Sequence, residues 1–300
     1  MRVLVTDGMD QSAVEQLRND GHEIVEQFYE SDQLGEALKD FDAVIVRSAT
    51  KVRKEHIDKA AEGKLKLIVR AGVGTDNIDV DYAREKGLTV KNTPRASSNA
   101  VAELTIGLLF SCARNISIAG YTMREEKWEK KAYSKGFELE GKTIGIIGFG
   151  RIGQLVGKKA QALGMKVLAY DIYHNPDVVE SDDYRYAELD EVLEKADVIS
   201  LNAPSGDNPF VTEENLSKMK DGVVILNTSR GANVDEKALY EALESGKVAA
   251  AGLDVWLSEK EPNWDLVKHP HVSCTPHIGA GTKEAQKRIG QELVSIIEGF

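Results

Sequence analysis

Along the whole chain, short β-branched apolar runs alternate with stretches whose apolar positions recur at helical spacing. In the first third the runs are RVLVT, HEIVE, DAVIV, LKLIV and LTVKN, parted by amphipathic segments such as QSAVEQLRND and VDYAREKG. Further on come TIGII, KVLAYD, DVISLN, VVILN, AAAGLDV and HVSCT. This alternation is the pattern of parallel strands joined by crossover helices, and it predicts an α/β fold built on two open parallel sheets. Between the two sets, from about Ser98 to Ala119, the residues Ala102, Leu104, Ile106, Leu108, Leu109 and Cys112 leave almost no polar face. A helix that is apolar nearly all round must be buried, so one long buried helix is expected here. The polar segment Arg124–Gly136 then reads as an excursion before the second set of strands begins.

Length supports two domains, since 300 residues can bury two cores of ordinary size. Charge removes whole classes of partner: a net charge of −11 without basic clusters argues against nucleic acid and against a membrane surface. An anionic small molecule would then need a local positive pocket. Cys112 and Cys274 sit in apolar surroundings, which suits buried thiols in a reducing compartment rather than a disulfide framework. The chain opens directly on a strand pattern with no leader-like segment, and no apolar run approaches about 18 residues, so a soluble cytoplasmic protein is expected.

Residues Lys142 to Asp171 carry the first chemistry. A strand meets Gly148, Gly150 and Gly153 in G-x-G-x-x-G spacing, a helix follows, and after the next strand stands Asp171, about 20 residues on. Gly148 permits a tight turn, Gly150 lets backbone approach a pyrophosphate, Gly153 permits close helix packing, and the helix N-terminus favours the negative charge. Asp171 can accept hydrogen bonds from both ribose hydroxyls of NAD and would repel a 2′-phosphate, which predicts NAD over NADP.

In open α/β sheets ligands bind beyond the carboxyl ends of the strands. At those ends stand Arg47 after DAVIV, Arg70 after LKLIV, Thr228, Ser229 and Arg230 after VVILN, Asp254 after AAAGL, and His277 after HVSCTP. VRSATKV, RAGVGTDNID, GFGRIG, NTSRGANVDE, GLDVW and TPHIGA occur in the order found in the D-isomer-specific 2-hydroxyacid dehydrogenases, and the chain resembles that family over nearly its whole length. RSATKV with RAGVGTDN is most similar to its phosphoglycerate-oxidising branch. The resemblance implies a flavodoxin-like substrate domain of residues 1–97, completed by a C-terminal helix in 284–300. It also implies a Rossmann domain of residues 98–283 and an active site in a cleft between the two. Catalytic residues carried over are Arg230, a glutamate and His277. NAD contacts would come from Gly148, Gly150, Arg151, Ile152, Gly153, Asp171, Asn202, Ala203, Pro204, Thr228, Ser229, Asp254, Gly279 and Ala280. A small anionic 2-hydroxy acid would meet Arg47, Arg70, Val73 and Gly74. A homodimer is implied as well, and the segment around Trp128 and Lys131 could reach a neighbouring active site.

The glutamate is ambiguous in DVWLSEKEP. In the family the acid stands five residues beyond the Asp of the DV pair and just before a proline; here the count gives Glu259 and the proline gives Glu261. Counting from a strand end preserves the backbone path, so Glu259 is expected to be the functional acid. His277 would take the hydroxyl proton as hydride leaves, Glu259 would orient the imidazole, and Arg230 would hold the substrate carboxylate. Arg47, Arg70 and Lys51 would remain for a phosphate, which favours oxidation of 3-phospho-D-glycerate to 3-phosphohydroxypyruvate, the first step of serine biosynthesis. Alternatives are a glyoxylate, hydroxypyruvate or D-lactate type of dehydrogenase, a formate dehydrogenase, and, in another class, an NAD-sensing co-repressor. The chain ends soon after the returning helix, so no appended regulatory domain is expected.

Overall fold

The computed structural model describes residues 1–300, which divide into two compact units: Met1–Ser98 with Ala280–Phe300, and Asn99–Gly279. The first unit is built on β1 (Arg2–Val5), β2 (Glu23–Glu26), β3 (Ala43–Val46), β4 (Leu67–Arg70) and β5 (Thr89–Asn92). They form one sheet in the order β2-β1-β3-β4-β5, every neighbour parallel. Successive side chains on a strand point to opposite faces, and the two cores follow that alternation. Val3, Val5, Ala43, Ile45, Leu67 and Val69 pack on one side. Leu4, Val44, Val46 and Ile68 pack on the other. Strands buried on both faces are apolar at nearly every position, which is why AVIV and LIV read as unbroken runs.

The first of these cores explains why the chain comes back. Helix Lys283–Glu298 contributes Ile289, Leu293, Val294 and Ile297 to it beside Ala13, Val14 and Leu17 of helix Gln11–Asn19. Gly290 makes the approach possible, because a Cβ there would lie 2.9 Å from the Ala13 Cβ.

The second unit holds seven strands: β6 (Thr143–Ile147), β7 (Lys166–Tyr170), β8 (Tyr184–Tyr186), β9 (Val198–Leu201), β10 (Val223–Asn227), β11 (Val248–Leu253) and β12 (Val272–Cys274). Their order is β12-β11-β10-β9-β6-β7-β8, again all parallel. Strand order reverses at β6, which has β7 on one side and β9 on the other. That reversal opens a crevice at the carboxyl ends of β6 and β9, where α/β sheets bind ligands. In the first unit the same reversal falls between β1 and β3.

One expectation fails. The apolar stretch after Ser98 is two helices, Ser98–Arg114 and Ile116–Arg124, bent by 69°. The break is Asn115, at φ +54° in the left-handed region that asparagine tolerates better than most residues. The first helix packs Ala102, Leu108, Leu109, Cys112 and Ala113 into the core, whereas the second buries no residue. No single helix is long and apolar enough to cross a membrane.

Candidate active site

The turn after β6 is shaped by its glycines. Gly148 has φ +91°, and a Cβ on it would lie 2.3 Å from the Ala203 nitrogen, so the turns following β6 and β9 abut only because residue 148 lacks a side chain. Gly153 would put a Cβ 2.1 Å from the Gly148 carbonyl oxygen, which seats helix Arg151–Ala162 directly on the turn. Gly150 differs: a Cβ there would meet nothing within 4 Å. It is the N-cap of that helix and provides no side-chain cap, so the first-turn N–H groups stay available, with the positive end of the helix dipole behind them. Arg151 is exposed and Ile152 packs against the core below. At the end of β7 the Asp171 carboxylate accepts the N–H of Phe149 at 2.6 Å and of Tyr173 at 3.0 Å. A carboxylate has about four lone-pair sites, so acceptor capacity remains. Beyond β9, the Asn202 N–H donates to Ile147 O at 2.7 Å and its side chain to the Ser200 carbonyl and hydroxyl, followed by half-buried Ala203 and exposed Pro204.

Beyond β10, buried Thr228 is 2.7 Å from the Thr105 hydroxyl. Thr105 already donates to Val101 O at 2.9 Å, so the Thr228 hydroxyl is the donor of the pair. The Ser229 hydroxyl donates to Asn227 Oδ1 at 2.9 Å, and Arg230 Nη1 donates back to Ser229 O at 2.6 Å. A Cβ on Gly231 would fall 2.1 Å from the Trp256 carbonyl carbon, so the arginine turn lies against the DVW segment.

Asp254, fully buried after β11, organises the last turn. Its carboxylate accepts the Thr275 hydroxyl at 2.6 Å, the Ile278 N–H at 2.8 Å and the Gly279 N–H at 2.9 Å, while its carbonyl accepts the His277 N–H at 2.8 Å. Thus Asp254 and Gly279 are bonded to each other around the histidine. His277 is held at φ +54°, a left-handed conformation that few non-glycine residues adopt and that clusters at functional sites. Its Nδ1 lies 2.5 Å from Glu259 Oε1. A carboxylate only accepts, so Nδ1 is the donor of the pair, and in the neutral imidazole Nε2 then presents a lone pair. Glu261 is exposed and makes no hydrogen bond or ion pair.

In the other unit, Arg47 leaves β3 at the β1/β3 reversal. Its N–H donates to Asp7 Oδ2 at 2.7 Å and its carbonyl accepts from Asn77 at 2.7 Å, but its guanidinium makes no hydrogen bond or ion pair. Arg70 Nη1 donates to Ala71 O. The N–H groups of Val73 and Gly74 donate to no protein acceptor, and the Val73 carbonyl is held by Asn92 at 2.6 Å. Ala280 belongs to this unit, its carbonyl accepting from Gln286 at 2.8 Å. Sequence patterns did not single out Asn227, Asn233, Asp7 or Asn77, the buried or half-buried groups that fix these turns; an asparagine or aspartate at a strand end or in a loop reads as a solvated turn residue until its neighbours are known.

A family model described as the NAD binding domain of D-isomer specific 2-hydroxyacid dehydrogenases matches residues 106–279. The chain belongs to that family. A hydroxypyruvate reductase from Thermotoga maritima is 48% identical over 99% of this chain and 97% of its own. A D-3-phosphoglycerate dehydrogenase from Methanocaldococcus jannaschii is 44% identical over all of this chain, which spans 58% of that longer protein. Among solved structures, a D-lactate dehydrogenase from Aquifex aeolicus complexed with NAD and lactic acid superposes with a TM-score of 0.86 at 31% identity, covering 99% of this chain and 95% of its own. NAD is the cofactor of this dehydrogenase fold, and the second unit fits it: the open face of Gly150, the uncapped helix start and the anchored Asp171 carboxylate match a pyrophosphate and a ribose.

Proposed function

We propose that the chain oxidises 3-phospho-D-glycerate to 3-phosphohydroxypyruvate. The observation that carries this choice is Arg47. At the strand-order reversal of the first unit, where open sheets bind ligands, it offers a guanidinium with no protein partner. Ser48 and Ala49 add N–H groups that donate to nothing, and Lys51 adds an exposed ammonium, in a chain of net charge −11. A phosphate is the anion that would use so many donors.

In this reading Asp171, Gly150 and the start of helix Arg151–Ala162 hold NAD, which supplies the hydride acceptor. Asp171 sets the preference for NAD over NADP by its charge. Arg230 holds the substrate carboxylate through its planar fork. His277 accepts the 2-hydroxyl proton at Nε2, and Glu259 keeps the proton on Nδ1 and stabilises the imidazolium that forms. The reverse reaction runs the same proton back to the carbonyl oxygen. The exposed apolar residues Ile116, Tyr121, Met123 and Trp128 suggest a homodimer, testable by light scattering.

Kinetics on paired substrates test the reading. Arg47→Ala should raise KM for 3-phosphoglycerate by roughly 10- to 150-fold, the equivalent of about 1.5–3 kcal/mol of charged hydrogen bonding, and leave an unphosphorylated 2-hydroxy acid nearly unaffected. Equal losses on both would assign Arg47 to structure. A second reading, reduction of hydroxypyruvate or glyoxylate, is favoured by the 48% identity to the Thermotoga maritima hydroxypyruvate reductase, and faster turnover of hydroxypyruvate than of its phosphorylated counterpart would select it.

A further inference from the structure

Asn233 is fully buried, three residues beyond Arg230 at the end of the short 3-10 turn Gly231–Asn233. No step of the mechanism uses it. Its side-chain nitrogen donates to Ala203 O at 2.9 Å and to the Ser229 hydroxyl at 3.0 Å. A carbonyl can only accept, so the nitrogen must face Ala203, and Oδ1 is left buried with no hydrogen-bond partner. A buried amide oxygen without a partner destabilises a protein, and an apolar side chain of similar size would avoid that cost. What the amide provides instead is a link between two turns. Ala203 lies against Gly148 in the turn after β9, whereas Ser229 leads into Arg230.

The bonds around Arg230 extend the link. Its carbonyl accepts the Asn233 N–H at 3.1 Å and the Asn227 side chain at 2.8 Å. Asn227 Oδ1 in turn accepts the Ser229 N–H at 3.1 Å and hydroxyl at 2.9 Å, so two fully buried asparagines hold the carbonyl that follows the arginine Cα and the N–H and hydroxyl of the serine before it. Arg230 Nη1 also folds onto Ser229 O. Ser229 is thus one anchor of the guanidinium, and its hydroxyl is held between Asn233 and Asn227.

We infer that Asn233 is a positioning residue: it ties Ala203, beside the dinucleotide turn, to Ser229 and so aims the Arg230 guanidinium at the substrate carboxylate. The inference rests on the reading of Arg230 as that clamp. Removing the tie should harm the use of the 2-oxo acid far more than the binding of NADH.

A double-mutant cycle on the full chain tests this, with wild type, Asn233→Leu, Arg230→Ala and the double variant. Each is assayed for kcat/KM with the 2-oxo acid that wild type reduces fastest, for NADH affinity by fluorescence, and for thermal midpoint. Asn233→Leu should lower kcat/KM about tenfold, since small misplacements of a clamp are costly. NADH affinity should stay within about twofold, and the same substitution should cost less than about twofold when Arg230 is already alanine. A merely structural role would give equal losses in both backgrounds, and that result, or an unchanged kcat/KM in Asn233→Leu, overturns the inference. An Arg230→Ala variant with near-normal turnover would instead remove the clamp reading itself. If Asn233→Leu does not fold, Asn233→Ser, too short to reach Ala203, takes its place in the cycle with the same expected outcomes.

Discussion

The pair of glutamates in DVWLSEKEP offers the sharpest test of the site, because only one of them touches the histidine. In Glu259→Gln the hydrogen bond to His277 Nδ1 can survive, but its charge cannot. Two unit charges about 4 Å apart attract by about 1 kcal/mol in water and about 4 kcal/mol near a protein surface, which bounds what Glu259 gives the imidazolium. The pair is not buried: the His277 and Glu259 side chains retain 36% and 47% of their exposure, which argues for the lower half of that range. Losing the charge alone is then worth about 1–2.5 kcal/mol, so kcat should fall roughly 5- to 70-fold, at 1.36 kcal/mol per decade. Glu261→Gln should stay within about twofold, since an exposed acid without a partner contributes little. The assay is steady-state NADH production with saturating hydroxy acid, accompanied by NADH affinity, which neither substitution should move. Loss of turnover in Glu261→Gln with Glu259→Gln unaffected would refute the geometric argument. Normal turnover in both would show that no carboxylate assists this histidine.

The glycine turn separates folding from cofactor binding. Gly153→Ala forces a Cβ to 2.1 Å from the Gly148 carbonyl and should cost about 1–3 kcal/mol of stability by overpacking, seen as a lower urea midpoint, whereas Gly150→Ala should unfold like wild type yet bind NADH more weakly. Asp254→Asn replaces an acceptor of three hydrogen bonds with a group that donates on one side; it should lose about 1.5–3 kcal/mol of stability and most of its turnover, and an unshifted urea midpoint would contradict the network. Burial pushes the Cys112 thiol up to about 12, so it stays neutral and should resist iodoacetamide at pH 8 until the protein is unfolded. Because the folded value lies above the unfolded one of 9.0, the stability tied to that thiol is whole below about pH 9 and declines as pH rises toward 12; denaturation midpoints measured across that window in wild type and Cys112→Ala should diverge.

The strands were legible because parallel strands covered on both faces must be apolar throughout, and AVIV, TIGII and VVILN form where those runs occur. β8 escaped notice for the complementary reason: Tyr184–Tyr186 is a three-residue edge strand with arginine at its centre, and an edge needs no apolar run. The bend at Asn115 was hidden because hydrophobic periodicity continues across it, while the left-handed turn depends on one backbone torsion. The glycine turn announced itself by spacing, since each glycine answers a separate steric demand. Asn227, Asn233 and Asp7 did not, because a buried side chain that bonds to backbone of a distant turn leaves no periodic trace.

The left-handed backbone at His277 places stability and chemistry in opposition at one residue. An L side chain in that conformation costs roughly 1–2 kcal/mol that glycine would not incur, so His277→Gly should yield a sturdier and inert protein. A laboratory selection for heat resistance alone, with no demand for turnover, would discard the histidine early. Stabilising libraries built on this chain should therefore hold position 277 constant, and a thermostable isolate from an unselected library should be sequenced there before it is assayed.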